Sequence, residues 1–281
     1  MSLVLSSGSS APPARLSGLS LNAKICVAAT ALVVASLAIT ATVIGFKSSS
    51  TAEAATMELA RTSAREAAGA LQSRIKANLY SVMALSGAMT TTKAAGLPLQ
   101  RPQIDEITKS TLMSSPDFVG AAVTWEPNAL DGKDAEFAGK APLYDATGRH
   151  MPYWTRKAGG GFHVDPIVFD PTPGANDWYD IPKKTSKVFF TEPYIYPIEG
   201  KDVLMASLVA PILVEGKFQG VASADFALTQ LNTILSDVKV MNGGSLVLIS
   251  NGGLYATNPD AALINKKAED IPAAGLEAVQ K

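Results

Sequence analysis

The chain has 281 residues, with 24 Lys and Arg against 25 Asp and Glu and a formal net charge of −1. That balance, with no basic patch, argues against a nucleic-acid partner. The single cysteine, Cys26, excludes a disulfide scaffold and leaves everything after it without a thiol ligand. The length allows more than one domain.

Residues 1–20 are rich in Ser, Gly, Ala and Pro and read as a disordered leader. Residues 25–46 are then uncharged and apolar between Lys24 and Lys47. At about 1.5 Å per residue they reach about 33 Å, enough to cross a hydrocarbon core of about 30 Å. A cleaved signal peptide is the alternative, because Ala52-Glu53-Ala54 has the small-x-small form of a cleavage site. The apolar stretch exceeds the usual 7–15 residues of a signal core, roughly, which favours an uncleaved transmembrane helix. Arg15 and Lys24 precede it without any acid, a positive-inside bias that puts the N-terminus in the cytoplasm and the rest outside. The remainder holds 21 basic and 25 acidic residues.

Residues 51–90 lack proline, and Leu71, Ile75, Leu79, Val82, Leu85 and Met89 recur at spacings of three and four, one face of a helix. Such a helix suits a stalk continuous with the membrane span, whose stripe covers the domain, a partner copy, or both. Residues 103–113 read as a short amphipathic helix and 118–125 as a strand. A long loop covers 126–142. Residues 143–145 and 150–155 flank Thr147-Gly148, a hairpin signal. Loops are expected at 159–161 and 171–176, and a helical turn at 178–185. Strands are expected at 188–196, 203–214 and 218–226, the last two joined at Glu215-Gly216-Lys217. A helix at 228–238 precedes a second strand pair, 245–250 and 254–258, around Asn251-Gly252-Gly253. The fold class is α+β. The second strand set begins close to Lys281, which reads as an incomplete module in a truncated chain.

Several segments are distinctive together: Trp125-Glu126-Pro127-Asn128, Gly148-Arg149-His150-Met151-Pro152-Tyr153-Trp154, Thr191-Glu192-Pro193-Tyr194, 200–207 and 216–225. With Gly244–Gly253 and Asn258-Pro259-Asp260, the chain resembles the double Cache (dCache) sensing domain of bacterial methyl-accepting chemotaxis proteins over roughly residues 50–270. The resemblance implies a cytoplasmic leader (1–24), a transmembrane helix (25–46) and a long stalk helix (47–96). A PAS-like antiparallel sheet module distal to the membrane (97–238) would follow, then the start of a membrane-proximal module (239–281). It implies a chemoreceptor in the cytoplasmic membrane with its sensing domain in the periplasm or outside, dimeric through the long helix.

In that family a small organic ligand binds the membrane-distal module. The amino-acid-binding subgroup uses an Arg-x-Trp-Tyr element, a Tyr-x-Asp after the Glu-Pro, and an Asp on a later strand. Here Trp178 and Tyr179 match the aromatics, but Asn176 stands at the Arg position. Tyr194 matches, but Tyr196 stands where the Asp would be, and Asp225 matches the last Asp. A bidentate carboxylate clamp needs a guanidinium that Asn cannot replace. An aromatic-walled pocket with one fixed negative charge suits an amine or another small polar molecule; an amino acid or organic acid stays open.

Asp225 interrupts an apolar strand, and a buried carboxylate needs partners. Tyr153 and Trp154 fall on opposite faces of their strand, so only one can line a given pocket. Arg156, or Arg149, could restore carboxylate binding from another direction. Glu126, Asp131, Asp134 and Glu136 lack calcium-loop spacing and read as a loop network. His150 and His163 have no ligand-spaced partner, and no nucleophile elbow, P-loop or dinucleotide fingerprint occurs. No metal, cofactor or catalytic residue is therefore expected. Two other readings are a sensor kinase or cyclase with the same domain, and a membrane-tethered enzyme.

Overall fold

The computed structural model describes residues 20–157, 159–236 and 245–268; the expected leader and the end of the second module lie outside them. The chain divides into two units, Met1–Arg61 and Thr62–Lys281. In the first, the described residues belong to helix α1 (Leu21–Ala94), which contains a segment long and apolar enough to cross a membrane.

In the second unit the predicted stripe of α1 is the covered one. Leu71, Val82, Leu85 and Met89 are buried, with Ile75 and Leu79 packed beside them. Three polar groups pin this helix. The Arg74 guanidinium donates twice to the Asp117 carboxylate, and Asn78 Nδ2 donates to the same group at 2.8 Å. Ser86 Oγ donates to the Pro211 carbonyl at 2.7 Å. Helix α2 (Arg101–Met113) carries buried Ile104, Thr108 and Leu112, one residue per turn on a single face.

Both helices cover one face of an antiparallel sheet in the order β3-β2-β1-β7-β6-β4, with β5 also paired to β6. Its strands are β1 (Phe118–Trp125), β2 (Pro152–Arg156), β3 (Phe162–Pro166), β4 (Phe189–Phe190), β5 (Tyr194–Ile198), β6 (Lys201–Val214) and β7 (Lys217–Ala227). The β6–β7 turn sits where expected, with Glu215 and Gly216 at φ 51° and 75°, the left-handed pair that a two-residue hairpin loop requires. Alternation then sorts the side chains. Ala222, Ala224 and Phe226 face α1 and α2, whereas Val221 packs with Val209, Tyr153, Trp178 and Tyr179 on the other side. Helix α4 (Asp177–Thr185) lies on that second face.

The expected hairpin around Thr147-Gly148 does not form. The Asp145 carboxylate accepts the N–H groups of Thr147 and Gly148 and the Thr147 hydroxyl, winding this stretch into a turn. Gly148 (φ +67°) sits so close to the 134–138 backbone that a Cβ would lie 1.9 Å from the Asp134 oxygen. The partner of β2 is instead β3, across the loop expected at 159–161. The single strand expected at 188–196 is split into β4 and β5 at Thr191-Glu192-Pro193, where proline has no N–H for a ladder. The loop 126–142 contains one helical turn, α3 (Asp134–Phe137). Helix α5 (Leu228–Ser236) and the short strands β8 (Leu248–Ile249) and β9 (Tyr255–Thr257) lie within the expected bounds. Leu228, Leu231 and Leu235 of α5 join Leu71 and Ala256 in a separate apolar cluster.

Arg101 organises the long loop from below. Its side chain is 2% exposed and donates to Asp131 at 2.9 Å, Asp134 at 2.7 Å and the Gly148 carbonyl at 2.7 Å, under the rings of Phe137 and Tyr144. Removing one member of a buried ionic group strands the others without a partner. Arg101→Met is therefore expected to cost about 3–5 kcal/mol in urea unfolding of the chain, far more than a change at exposed Gln103.

Candidate functional site

The second face of the sheet carries a polar row in an apolar field. The register aligns His163 on β3, Thr155 on β2, Gly120 on β1, Asp225 on β7 and Ser207 on β6 across five neighbouring strands. Asp225 is 4% exposed. Its Oδ1 accepts from Ser207 Oγ at 2.5 Å, and the same hydroxyl is 2.6 Å from the Tyr194 hydroxyl. Ser207 is fixed in turn by its backbone: its N–H donates to Thr191 Oγ1 at 2.9 Å, and its carbonyl accepts from the Thr191 N–H.

Gly120 is the space in this row. A Cβ there would lie 2.2 Å from the Tyr153 hydroxyl, so the phenol rests where any other residue would place its side chain. A glycine inside a strand marks such a close approach, and the register shift between Phe118 and Gly120 adds a bulge beside it. Tyr153 thereby reaches the neighbourhood of Asp225.

Burial pushes the Asp225 carboxyl up to about 6, against the lowering effect of its bonds to Ser207 and Tyr153. Burial likewise raises the phenols of Tyr153, Tyr194 and Tyr196 above their ordinary value, so they remain neutral hydroxyls. Above Asp225 is an inner chamber of about 20 Å³, lined by Tyr153, Ile167, Trp178, Tyr194, Tyr196, Ser207 and Ser223. It adjoins a cleft of about 590 Å³ that shares Tyr153, Trp178, Tyr194 and Tyr196, and whose rim includes Asp165, Asp170, Glu199 and His163. His163 Nε2 is 2.6 Å from Asp165 Oδ2 and its Nδ1 is 3.6 Å from Glu199. Neither lysine nor arginine lines chamber or cleft among the described residues.

Five of the eight sequence-selected residues therefore meet at one cavity: Tyr153, Trp178, Tyr194, Tyr196 and Asp225. Three do not. Tyr179 turns away, giving its hydroxyl to Glu126, accepting from Arg149 at 2.5 Å, and packing on Phe169 and Phe218. Trp154 lies on the opposite face, its indole N–H 3.3 Å from Asp105 and its ring against Phe162. Arg156 donates to the carbonyls of Phe118, Leu112 and Ser115, closing the last turn of α2 rather than facing the cleft. Arg149 is held by the Trp125 carbonyl and Tyr179. Neither arginine replaces the missing clamp. Asn176 reaches the rim but closes its own loop, bonding both ways with the Asp170 backbone.

Ser207, Ser223 and Gly120 were missed, as were the rim carboxylates. A serine two residues before an acid in an apolar strand was the available signal for Ser223. Away from the cavity, Asp131 and Asp134 hold Arg101 as a loop network. His150 is buried, and desolvation lowers its imidazole to about 3.

Residues 104–233 match the model of the family described as "Methyl-accepting chemotaxis protein-like, first PDC sensor domain". Methyl-accepting chemotaxis protein TlpQ of Pseudomonas aeruginosa is 29% identical over 180 residues, which are 59% of this chain and 25% of that protein. The chain thus spans about a quarter of the length of the curated relatives it matches. Among solved structures, the extracellular domain of mmHK1S-Z3, described as a histidine kinase, aligns with a TM-score of 0.62 at 32% identity, over 76% of this chain and 73% of that one. Methyl-accepting Chemotaxis protein X aligns with a TM-score of 0.70 at 24% identity, over 82% of each chain. A sheet covered by a long helix on one face, with a polar cavity on the other, agrees with these likenesses: residues 104–233 form a PDC sensor domain of the methyl-accepting chemotaxis protein-like type, a fold shared with the extracellular domain of mmHK1S-Z3.

Proposed function

We propose that this chain is the extracytoplasmic sensing part of a transmembrane chemoreceptor, held in the cytoplasmic membrane by residues 25–46, and that it binds a small organic cation. The observation that carries the ligand class is the buried Asp225 carboxylate beneath an aromatic chamber that, among the described residues, no lysine or arginine lines. A carboxylate ligand would meet Asp225, Asp165, Asp170 and Glu199 with no guanidinium to answer it. An amine gains the Asp225 charge and the faces of Trp178 and the three tyrosines, at roughly 0.5–2 kcal/mol for each well-placed ring. The site residues are Asp225, Tyr153, Trp178, Tyr194 and Tyr196.

In this reading residues 47–96 form the stalk helix, 97–238 the membrane-distal module and 239–281 the start of the membrane-proximal one. Exposed Met57, Leu59, Tyr80 and Met83 on α1 support a homodimer through that helix. Ligand binding biases two arrangements of module and helix, and only a difference in affinity between them carries a signal to an output domain elsewhere in the protein. A kinase output is the second reading, favoured by the likeness to mmHK1S-Z3.

Asp225→Asn keeps the shape and removes the charge. Calorimetry on the full chain in nanodiscs should show small primary amines binding the wild type and losing at least about 30-fold in the variant. Tighter binding of amino acids or organic acids than of amines would reject the ligand class.

The pH dependence has a definite sign. A carboxyl raised from 3.8 to about 6 contributes stability that is fully present below about pH 4 and lost as pH rises through about 6. Burial also raises Asp105, on the opposite face, to about 6, so the wild-type profile contains both groups. Without ligand, Asp225→Asn should therefore exceed the wild type in stability by about 1–3 kcal/mol at pH 7.5 and match it near pH 4. Amine affinity of the wild type should fall as pH drops below about 6, where Asp225 takes up a proton.

A further inference from the structure

The inner chamber has one unspent hydroxyl. Ser207 Oγ is committed to Asp225 and Tyr194, and Tyr196 bonds to the Val168 backbone. The Tyr153 hydroxyl lies beside Asp225 and the Met205 sulfur. Ser223 lines the same chamber at 5% exposure, and its hydroxyl has no partner among the described residues. It precedes Asp225 by two positions on β7, so both side chains rise from the same face, about 6.8 Å apart along the strand. That is the backbone repeat; a tetrahedral nitrogen bonds two oxygens at about 2.9 Å when they stand about 4.7 Å apart, which the two side chains reach by leaning toward each other over the chamber. A nitrogen seated between them can give one hydrogen to each.

Size narrows the choice of head group. The chamber holds about 20 Å³, and a cavity needs about 10–15 Å³ on that measure to hold one water. A primary ammonium is close to water in size and brings three N–H donors, as a lysine head does. A trimethylammonium group is several times larger and brings none. An aromatic box alone would accept either; this chamber adds acceptors that only the first can use.

We propose that Ser223 is a specificity-determining residue that, with Asp225, selects a primary ammonium head group over a quaternary one. The proposal rests on the cation-binding reading of the cavity. Ser223 and the oxygen of Asp225 that Ser207 leaves free accept two of the ammonium hydrogens, and a phenol oxygen of the chamber accepts the third. The carbon chain of the ligand then runs between Trp178 and Tyr196 into the wider cleft.

Matched probes separate the two levels of inference. n-Butylamine and butyltrimethylammonium share a chain and a charge and differ only at the head. In calorimetric titration of the full chain in nanodiscs at pH 7.5, n-butylamine should bind at least about tenfold more tightly. Ser223→Ala should weaken n-butylamine about tenfold and leave butyltrimethylammonium and the unliganded melting temperature unchanged, since the lost hydroxyl had no partner in the fold. Equal wild-type affinity for the two probes would overturn the selection of a primary head while leaving the cation pocket in place, and this comparison needs no variant. Unchanged n-butylamine affinity in Ser223→Ala would overturn the role of that hydroxyl alone. Binding of neither probe by the wild type would overturn the cation pocket and this inference with it.

Discussion

A carboxylate enclosed by protein must be neutral, paired or bonded, because desolvation alone disfavours its charge strongly. Asp225 sits in the middle of the sheet with the hydroxyls of Ser207 and Tyr153 bonded to it and no cationic side chain against it among the described residues. The rest of the cavity follows from that condition. Ser207 must stand directly across on β6 to donate, and Gly120 must stand across on β1 so that Tyr153 can lean in. Tyr153 bonds the carboxylate and Tyr194 bonds Ser207, and burial keeps both phenols as neutral hydroxyls. The apoprotein is thus left with a charge it tolerates poorly above about pH 6, which is what the proposed cationic ligand would answer.

The same strands have a second face with the opposite character. Period-two alternation sends Leu208, Ala210, Ile212, Ala222, Ala224 and Phe226 under α1 and α2, where Phe118 and Phe226 meet edge to face at 5.4 Å. Polar groups on this side serve to position the helices: Arg74 and Asn78 on Asp117, and Ser86 on the Pro211 carbonyl. Ser86 is instructive, since it ties the helix to β6 at Pro211, and the same strand presents Ser207 to the cavity four residues earlier. Period-two alternation therefore puts a fixed helix and a polar chamber on opposite sides of one backbone.

Much of this was legible in the sequence, for reasons that differ by element. The α1 stripe could be read because six apolar residues keep helical spacing over 19 positions, a pattern set by one helix against one surface. The β6–β7 hairpin could be read because Glu-Gly demands left-handed backbone between two apolar runs. Asp225 stood out for interrupting one of those runs. Strand β3 did not show itself: Phe162-His-Val-Asp-Pro is short, lies on an edge, and faces neighbours that cover only some of its side chains. Tyr179 and Arg156 were misplaced because residue type does not reveal direction. The phenol had Glu126 and Arg149 to bond, and the guanidinium had open carbonyls at the end of α2. Small hydroxyls such as Ser207 and Ser223 pass for ordinary strand residues until the register sets them beside a charge.

Register also explains why the break at Thr191-Glu192-Pro193 belongs to the cavity although it contributes no wall. Thr191 bonds Ser207 through both backbone and side chain, so the hydroxyl that serves Asp225 is aimed from outside the chamber. The next residue, Glu192, accepts the Gly252 N–H at 3.0 Å in the turn that leads from β8 to β9. Three successive bonds thus run from the buried carboxylate through Ser207 and Thr191 to the second hairpin. The Thr191 bonds reach the Ser207 backbone, so they fix the stretch of strand that carries the hydroxyl. Contiguity of this kind carries a signal only if the Thr191–Pro193 bend has two arrangements of unequal affinity for an occupied chamber. Pro193 offers no N–H to the ladder, so the bend is held to β6 through the Thr191–Ser207 bonds.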